Sequence, residues 1–264
     1  MEKAKSIEHL HSILYDMLLE VDRICKENNI RYFLAFGTEI GAVRDHAFIP
    51  WDDDIDIKVM REDYESFKAA MKENLGGALK FKEPIDEKPY FFDFVPRIIN
   101  TEYTLSDDPN NLQNHPAIDV FLVDHVPAGK FFQKGMYFKL KLIHALAISK
   151  RKHVDYKSYG TIARAGLIIL GGIGNLFSLE KLIRMYDRQQ RKYENVATPF
   201  RFTSNFAFGI QAMYDFDIYE RATEVVLERD KFPCPERFDE ELRLVYGDYM
   251  TPRKMGIVHF EENE

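Results

Sequence analysis

The chain has 264 residues, of which 45% are hydrophobic, so it can build a substantial core and is not intrinsically disordered. Its formal net charge of -7 argues against a nucleic-acid partner, because such proteins need a positive field to neutralise phosphates. The two cysteines, Cys25 and Cys234, form no metal-binding or redox spacing, which predicts free thiols in a reducing compartment.

The chain begins without an uninterrupted apolar stretch of the signal-peptide type, which predicts a cytoplasmic protein. The longest apolar run, residues 165–176, is shorter than the roughly 20 residues that cross a bilayer. It still permits a peripheral contact with the inner face of the plasma membrane.

Apolar periodicity predicts a series of helices and strands in the first half of the chain. Apolar residues at steps of three and four from Ile7 to Ile24 predict an amphipathic helix. A strand over 31–35, a turn at Gly37 and a short helix over 39–44 follow. Residues 55–59 alternate as in a strand with one buried face, and 61–75 are helical again. Short strands over 91–99, 103–105 and 118–122 complete a small mixed sheet.

Beyond residue 130, helical periodicity dominates, over 131–152, 161–177, 179–195 and 239–246. We therefore predict an α+β protein with a small mixed sheet flanked by helices. Residues 1–130 form its core, and a mainly helical region, 131–264, packs on that core. The phenylalanine-rich tract over 199–219 is interpreted as a packed loop or as an acceptor surface.

An acidic cluster at the start of the strand over 55–59 is the most informative feature of the sequence. Side chains two residues apart on a strand share a face, so Asp54 and Asp56 point together while Ile55 and Ile57 enter the core. A divalent cation that prefers oxygen ligands, most naturally Mg²⁺, relieves the repulsion between the two carboxylates. The alternative is a solvated acidic edge.

A calcium-binding loop is a competing interpretation of the same residues. Aspartates occupy the first, third, fifth and twelfth places of an EF-hand-like loop, at Asp52, Asp54, Asp56 and Asp63. The sixth place, which needs glycine for its sharp turn, carries Ile57, and strand alternation surrounds the cluster. These departures disfavour the calcium interpretation.

The segment FGTEIGAVR upstream of the cluster is typical of a phosphate-binding turn. Gly37 lets the backbone approach a phosphate, Thr38 can donate its hydroxyl, and the following helix directs its N-terminal amides at the anion. A turn of this kind between a strand and a helix, shortly before an Asp-x-Asp strand, favours a phosphate site beside a metal site.

Three segments resemble the LicD family of phosphocholine transferases, which is related to the fukutin-type ribitol-phosphate transferases: YFLAFGTEIGAVRDHAFIPWDDDIDIKVMREDYESF, AIDVFLVDHVP and FPCPERFDEELRLVYGDYM. The resemblance implies a nucleotidyltransferase-like fold for residues 1–130. It assigns the phosphate turn to Gly37 and Thr38. It also adds Asp119, as a third metal ligand, as the general base or as both, to Asp54 and Asp56.

Further residues around these motifs are candidates for binding the substrate or the metal. Arg44 and Arg97 are candidate phosphate ligands because a guanidinium group fits phosphate oxygens, and each is alternatively a structural partner of the acidic cluster. Trp51 is a candidate for stacking on cytosine or facing the choline ammonium group, and is alternatively a core anchor. Asp52 is a further candidate metal ligand.

The resemblance implies a Mg²⁺-dependent enzyme, with Mn²⁺ as a substitute, that moves phosphocholine from CDP-choline to a hydroxyl group of a cell-surface glycan precursor and releases CMP. The acceptor would be of the teichoic acid or lipopolysaccharide type, free or lipid-linked. The enzymatic alternative transfers ribitol phosphate, glycerol phosphate or a nucleotidyl group. The non-enzymatic alternative is a regulatory protein that binds a nucleotide or a cation.

Overall fold

The computed structural model of the chain describes residues 1–88, 90–107, 113–152, 154, 156–196, 200–203, 213–254 and 260. Its α-helices are α1 (Ile7–Glu27), α2 (Phe36–Ile40), α3 (Tyr64–Asn74), α4 (Lys130–Ala147), α5 (Thr161–Gly174), α6 (Leu179–Gln190) and α7 (Phe238–Tyr246). Its strands are β1 (Glu2–Lys3), β2 (Tyr32–Leu34), β3 (Ile55–Met60), β4 (Leu79–Lys82), β5 (Arg97–Asn100), β6 (Tyr103–Thr104), β7 (Ala117–His125), β8 (Phe200–Thr203), β9 (Met213–Asp215), β10 (Ala222–Leu227) and β11 (Asp230–Pro235). The predicted α+β class is confirmed.

One mixed sheet of seven strands organises the fold. Its path is β2-β3-β7-β5-β4, with β8 pairing with β7 and β9 with β8. Strands β3 and β7 run parallel, whereas the other neighbours in the sheet are antiparallel. The longest strand, β7, pairs with β3 along most of its length, with β5 near its start and with β8 near its end. Strands β10 and β11 form a separate hairpin.

The two faces of the sheet carry different kinds of side chain. Alternate residues of β3 and β7, such as Ile57 and Val120, pack against the apolar sides of α1 and α3. Because side chains alternate along a strand, Asp56 and Asp119 point to the opposite face. Helices α4 and α6 cover part of that second face through a cluster that includes Val123. The first face is therefore core, and the second carries the polar residues.

The main secondary-structure error of the sequence analysis is the strand over 91–99, because β5 begins only at Arg97. Phe91 and Phe94 have high strand propensity, but they pack into a cluster with α4 and α6 instead. The ring of Phe94 stacks on that of Tyr186 with centroids 3.9 Å apart. Long-range packing thus replaces strand pairing here.

The region after residue 130 contains the predicted helices together with strands that the sequence analysis did not predict. Three of the helices are shorter than predicted. Helices α4 and α6 pass into 3₁₀ turns at Ile148–Lys150 and Arg191–Tyr193, and α5 ends at Gly174. Strands β8 to β11 are additional, and β8 joins the central sheet. Residues 199 and 204–212 of the aromatic tract over 199–219 lie outside the described residues, and the boundary near residue 130 stays a prediction.

No single helix within the described ranges combines the length and apolar composition of a membrane span. The segments Thr161–Gly174 and Leu179–Tyr193 satisfy that test only as a pair, and they are bent by 113° relative to each other.

Candidate functional site

Three carboxylates meet on the second face of the sheet. Asp56 of β3 lies beside Asp119 of β7 in the parallel register, and Asp54 comes immediately before β3 on the same side of the chain. One carboxylate oxygen from each of the three lies within 4.8 Å of the others. The structure thus brings together the three predicted catalytic and metal-binding aspartates, although Asp119 is 63 positions from Asp56 along the chain.

The electrostatics of this carboxylate cluster favour a cation. Burial raises the pKa of Asp54 well above its ordinary value, and the neighbouring carboxylates of Asp56, Asp52 and Asp119 raise it further. The pKa of Asp56 is raised by burial and by Asp119 in the same way. Oxygen ligands in mutual repulsion fit a hard divalent ion such as Mg²⁺, because the ion replaces the protons that the cluster otherwise holds.

Asp52 and Asp53 occupy different places from the cluster. The Asp52 carboxylate lies over Gly37, where an added Cβ would be 2.5 Å from its Oδ2. Burial and the charge of Asp53 raise the pKa of Asp52 to about 7. Asp53 is buried and accepts a hydrogen bond of 2.7 Å from the backbone N–H of Phe260. Asp52 therefore faces the turn, and its candidacy as a metal ligand stays a prediction.

The calcium-loop interpretation is wrong, because residues 55–60 form an extended strand between two sheet neighbours. An EF-hand loop must curl around its ion through a glycine turn. Asp63, which would supply the twelfth position, lies beyond the far end of β3 and accepts a hydrogen bond of 3.1 Å from Arg31.

The predicted phosphate turn is joined to strand β3 by a hydrogen bond. Phe36 has a positive φ of 47°, an uncommon conformation for a residue other than glycine, and α2 then spans the turn residues themselves. The hydroxyl oxygen of Thr38 accepts a hydrogen bond of 2.9 Å from the N–H of Asp56. Since a hydroxyl both accepts and donates, its proton stays available for a phosphate oxygen. The predicted helix over 39–44 is instead α2 followed by a π-helical turn, Gly41–Asp45.

Arg97 lies directly beside the carboxylate cluster. The antiparallel register of β5 and β7 pairs Arg97 with Asp119, so Asp56, Asp119 and Arg97 form one row across three strands. The guanidinium carbon of Arg97 is 4.4 Å from the centroid of the Phe92 ring. Arg97 is buried, and its place in this row keeps it a candidate phosphate ligand.

Arg44 and Trp51 have structural contacts at the edge of the site. The Arg44 guanidinium donates to both carboxylate oxygens of Asp45, at 2.8 and 2.6 Å, and to the carbonyl of Tyr249 at 3.1 Å. Trp51 packs on a small apolar cluster formed by α2 and α7 together with Ile49 and Tyr249. Binding of substrate by either residue stays a prediction, beside the structural alternatives given above.

A buried ion cluster that the sequence did not predict lies next to the aspartates. Lys58, two residues after Asp56 and on the same face of β3, pairs with Glu39 at 3.1 Å and with Glu241 of α7. Tyr219 donates its hydroxyl proton to Glu241 at 2.9 Å. Burial raises the pKa of Glu39 to about 8. The available signal was the polar position of Lys58 in the alternating strand.

Tyr246, at the end of α7, is a second residue that the sequence analysis did not assign to the site. It packs against the aromatic pair of Phe36 and Phe121. Burial and the charge of Asp56 raise its pKa well above the ordinary tyrosine value. Its hydroxyl therefore keeps its proton and can donate a hydrogen bond near the carboxylates.

The chain is similar in sequence to a described protein family and to individual known proteins. Residues 29–144 match the family described as LicD/FKTN/FKRP, nucleotidyltransferase domain. The lipopolysaccharide cholinephosphotransferase LicD of Haemophilus influenzae is 29% identical over 229 residues, which cover 86% of this chain and 84% of that protein. An uncharacterised protein of Rickettsia typhi is 42% identical over 55 residues, 21% of this chain and 18% of that protein. One of Rickettsia prowazekii is 44% identical over 50 residues, 19% of each chain. The family match contains the three clustered aspartates.

Proposed function

We propose that the chain, whose residues 29–144 match the LicD/FKTN/FKRP family, is a transferase that moves phosphocholine from CDP-choline to a cell-surface glycan precursor. The observation that carries the proposal is the cluster of Asp54, Asp56 and Asp119 beside the Thr38 turn. The cholinephosphotransferase of Haemophilus influenzae, similar over most of both chains, supports choline phosphate as the group transferred. The acceptor is a hydroxyl group of a glycan of the teichoic acid or lipopolysaccharide type.

The proposed mechanism assigns tasks to the carboxylate cluster, to Thr38 and to Arg97. Asp54, Asp56 and Asp119 would hold Mg²⁺, or Mn²⁺ in its place, which when bound would supply positive charge to the phosphoryl oxygens and to the departing CMP. The Asp119 carboxylate is also proposed as the base that takes the proton of the attacking acceptor hydroxyl. Thr38 donates its free hydroxyl proton to a phosphate oxygen. Arg97 supports the negative charge that develops during transfer, because a guanidinium fork fits phosphate oxygens. The proposal includes a cytoplasmic site of action, which the two buried free thiols, Cys25 and Cys234, support.

A donor panel tests this function. Purified protein with Mg²⁺ and a glycan acceptor is incubated with CDP-choline, CDP-ribitol, CDP-glycerol or a nucleoside triphosphate, and the nucleotide product is identified. We expect CMP from CDP-choline, and no CMP after Mg²⁺ is removed with a chelator. Asp54→Asn is the control for contaminating activity.

Other outcomes of the donor panel select the alternatives. If CMP is released from CDP-ribitol or CDP-glycerol but not from CDP-choline, the protein is a related transferase. If inorganic diphosphate is released from a nucleoside triphosphate, the reaction is nucleotidyl transfer. Tight, Mg²⁺-dependent binding of a nucleotide with no turnover on any acceptor would instead support a regulatory binding protein.

Asp119→Asn separates the two proposed tasks of that residue. A general base acts only in the chemical step, so its loss should lower turnover by roughly two orders of magnitude and leave Mg²⁺ and CDP-choline affinity largely intact. The loss of a metal ligand should weaken Mg²⁺ binding as well. The measurements are single-turnover rates and calorimetric affinities on the same preparation. Full turnover by the folded variant would show that Asp119 has neither role.

A further inference from the structure

Helix α4 exposes an apolar face to solvent. Its inner side buries Gln133, Met136 and Leu140 against the rest of the protein. On the opposite side, at helical spacing, stand Phe131 and Phe138, whose exposed fractions are 82% and 67%. Phenylalanine at such exposure is uncommon in a helix that has only water on its outer side, because about 25 cal/mol is lost per Å² of apolar surface left in contact with water.

Lysines border this apolar face on both sides. By helical geometry, Lys130, Lys134 and Lys141 lie along one flank and Lys139 along the other. Between His125 and Leu179 the chain has nine lysines and arginines and a single acidic residue, although the whole chain carries a net charge of -7. The positive charge is therefore concentrated in the segment that presents the exposed rings.

Helix α5, which follows, is apolar on more than one side and mostly exposed. Its inner side is the one that contacts the end of α4 at Gly174. There the two backbones lie so close that a Cβ at Gly174 would overlap the carbonyl oxygen of Leu146. The side away from that contact carries Ile162, Ile169 and Ile173, with exposed fractions of 91%, 64% and 44%. Leu176, just after the helix, is exposed as well. Two successive helices thus leave apolar faces uncovered in the same cationic segment.

We propose that the outward faces of α4 and α5 dock the protein on the surface of a bilayer that contains anionic lipids. Phenylalanine and isoleucine enter the boundary between headgroups and acyl chains, while the lysine stems extend so that their ammonium groups reach the lipid phosphates. Lysines near an anionic surface each contribute favourably to such binding. This inference goes beyond the proposed transfer reaction and does not depend on it.

The charge pattern favours a bilayer over a protein as the occupant. A symmetric contact with a second copy would bring the same lysine-rich surface against itself, which like-charge repulsion disfavours. Lysine is also depleted in protein–protein interfaces, whereas cationic flanks around an aromatic face are typical of helices that lie in the membrane interface. An anionic lipid surface satisfies both the apolar and the cationic parts of these faces.

Vesicle co-sedimentation of the full chain, without nucleotide or divalent metal, tests the proposal. We expect binding to vesicles of phosphatidylcholine mixed with phosphatidylglycerol, and much weaker binding to phosphatidylcholine alone or at high salt. Lys134→Glu/Lys141→Glu should weaken binding at least about tenfold, because each substitution reverses a charge at the surface. Phe131→Ser/Phe138→Ser should also weaken binding. It should reduce the amount of protein that stays bound to the anionic vesicles at high salt.

Two matched variants control for general effects of charge and apolarity. Lys80→Glu reverses an exposed lysine on β4, and Leu244→Ser removes an exposed apolar residue on α7. Both should bind as the wild type does, and all variants must retain the wild-type melting temperature. Wild-type protein that stays in the supernatant with anionic vesicles would overturn the proposal. So would a concentration-dependent dimer that Phe131→Ser/Phe138→Ser abolishes while vesicle binding is unchanged. Because no donor is present, failure here leaves the transferase proposal standing.

Discussion

Asp54→Asn and Asp56→Asn are each expected to lower turnover by roughly two or more orders of magnitude, since each removes a charged oxygen ligand from the proposed metal site. The same substitutions should raise the stability of the metal-free protein at neutral pH. Burial and mutual repulsion raise the pKa of both carboxyls, so ionising them costs free energy in the folded state. An amide at either position removes that cost.

The pH dependence follows from the direction of these pKa shifts. Between the unfolded aspartate pKa of about 3.9 and the raised folded values, the folded state binds more protons than the unfolded state. The free energy of unfolding of the metal-free wild type should therefore fall as the pH rises through this window. In Asp54→Asn and in Asp56→Asn, the free energy of unfolding should fall less over the same pH window. Saturating Mg²⁺ should restore stability to the wild type at high pH, because it binds only the folded state.

The measurements are steady-state turnover and thermal melts across pH, with and without Mg²⁺. Asp16→Asn is the matched control, because Asp16 is an exposed aspartate of α1 far from the cluster in sequence. It should leave both turnover and the Mg²⁺-induced shift in melting temperature unchanged. Near-wild-type turnover, or an undiminished Mg²⁺ shift in a folded Asp54 or Asp56 variant, would falsify the metal assignment.

Lys58→Met is expected to lower the free energy of unfolding by about 3–5 kcal/mol, the usual cost of removing one partner from a buried ion cluster. Lys58 is fully buried, and it holds Glu39 and Glu241 close to each other. Without the ammonium group, the two carboxyls stay buried with no neutralising charge. The loss should increase as the pH rises, because burial raises the pKa of Glu39 and removal of the Lys58 ammonium group raises that pKa further.

Denaturant unfolding of Lys58→Met and of two comparison variants tests this expectation. Lys58→Met/Glu39→Gln/Glu241→Gln removes all three charges and should recover part of the loss, because no uncompensated charge remains. Lys80→Met changes an exposed lysine and should stay within about 0.5 kcal/mol of the wild type. A loss below about 1 kcal/mol in Lys58→Met would show that water or a rearranged partner replaces the ammonium group.

Local sequence patterns were sufficient for part of the fold and site. The alternation of residues 55–59 predicted that Asp54 and Asp56 share a face while Ile55 and Ile57 enter the core, and the structure has that arrangement. The periodicity of α1 determined its buried side in the same way. These predictions depend on backbone geometry within a few residues, which the sequence fully specifies.

Strand register and the covering of apolar faces were decided only by the tertiary structure. The pairing of β7 with β3 and β5 brings Asp119 and Arg97 to Asp56, and α7 brings Glu241 to Lys58 across 183 positions of the chain. Phe91 and Phe94, which local propensity assigned to a strand, pack with α4 and α6, whereas Phe131 and Phe138 stay exposed. Each outcome depends on which distant residues compete for the same apolar surface, and that competition is resolved only when the whole chain packs.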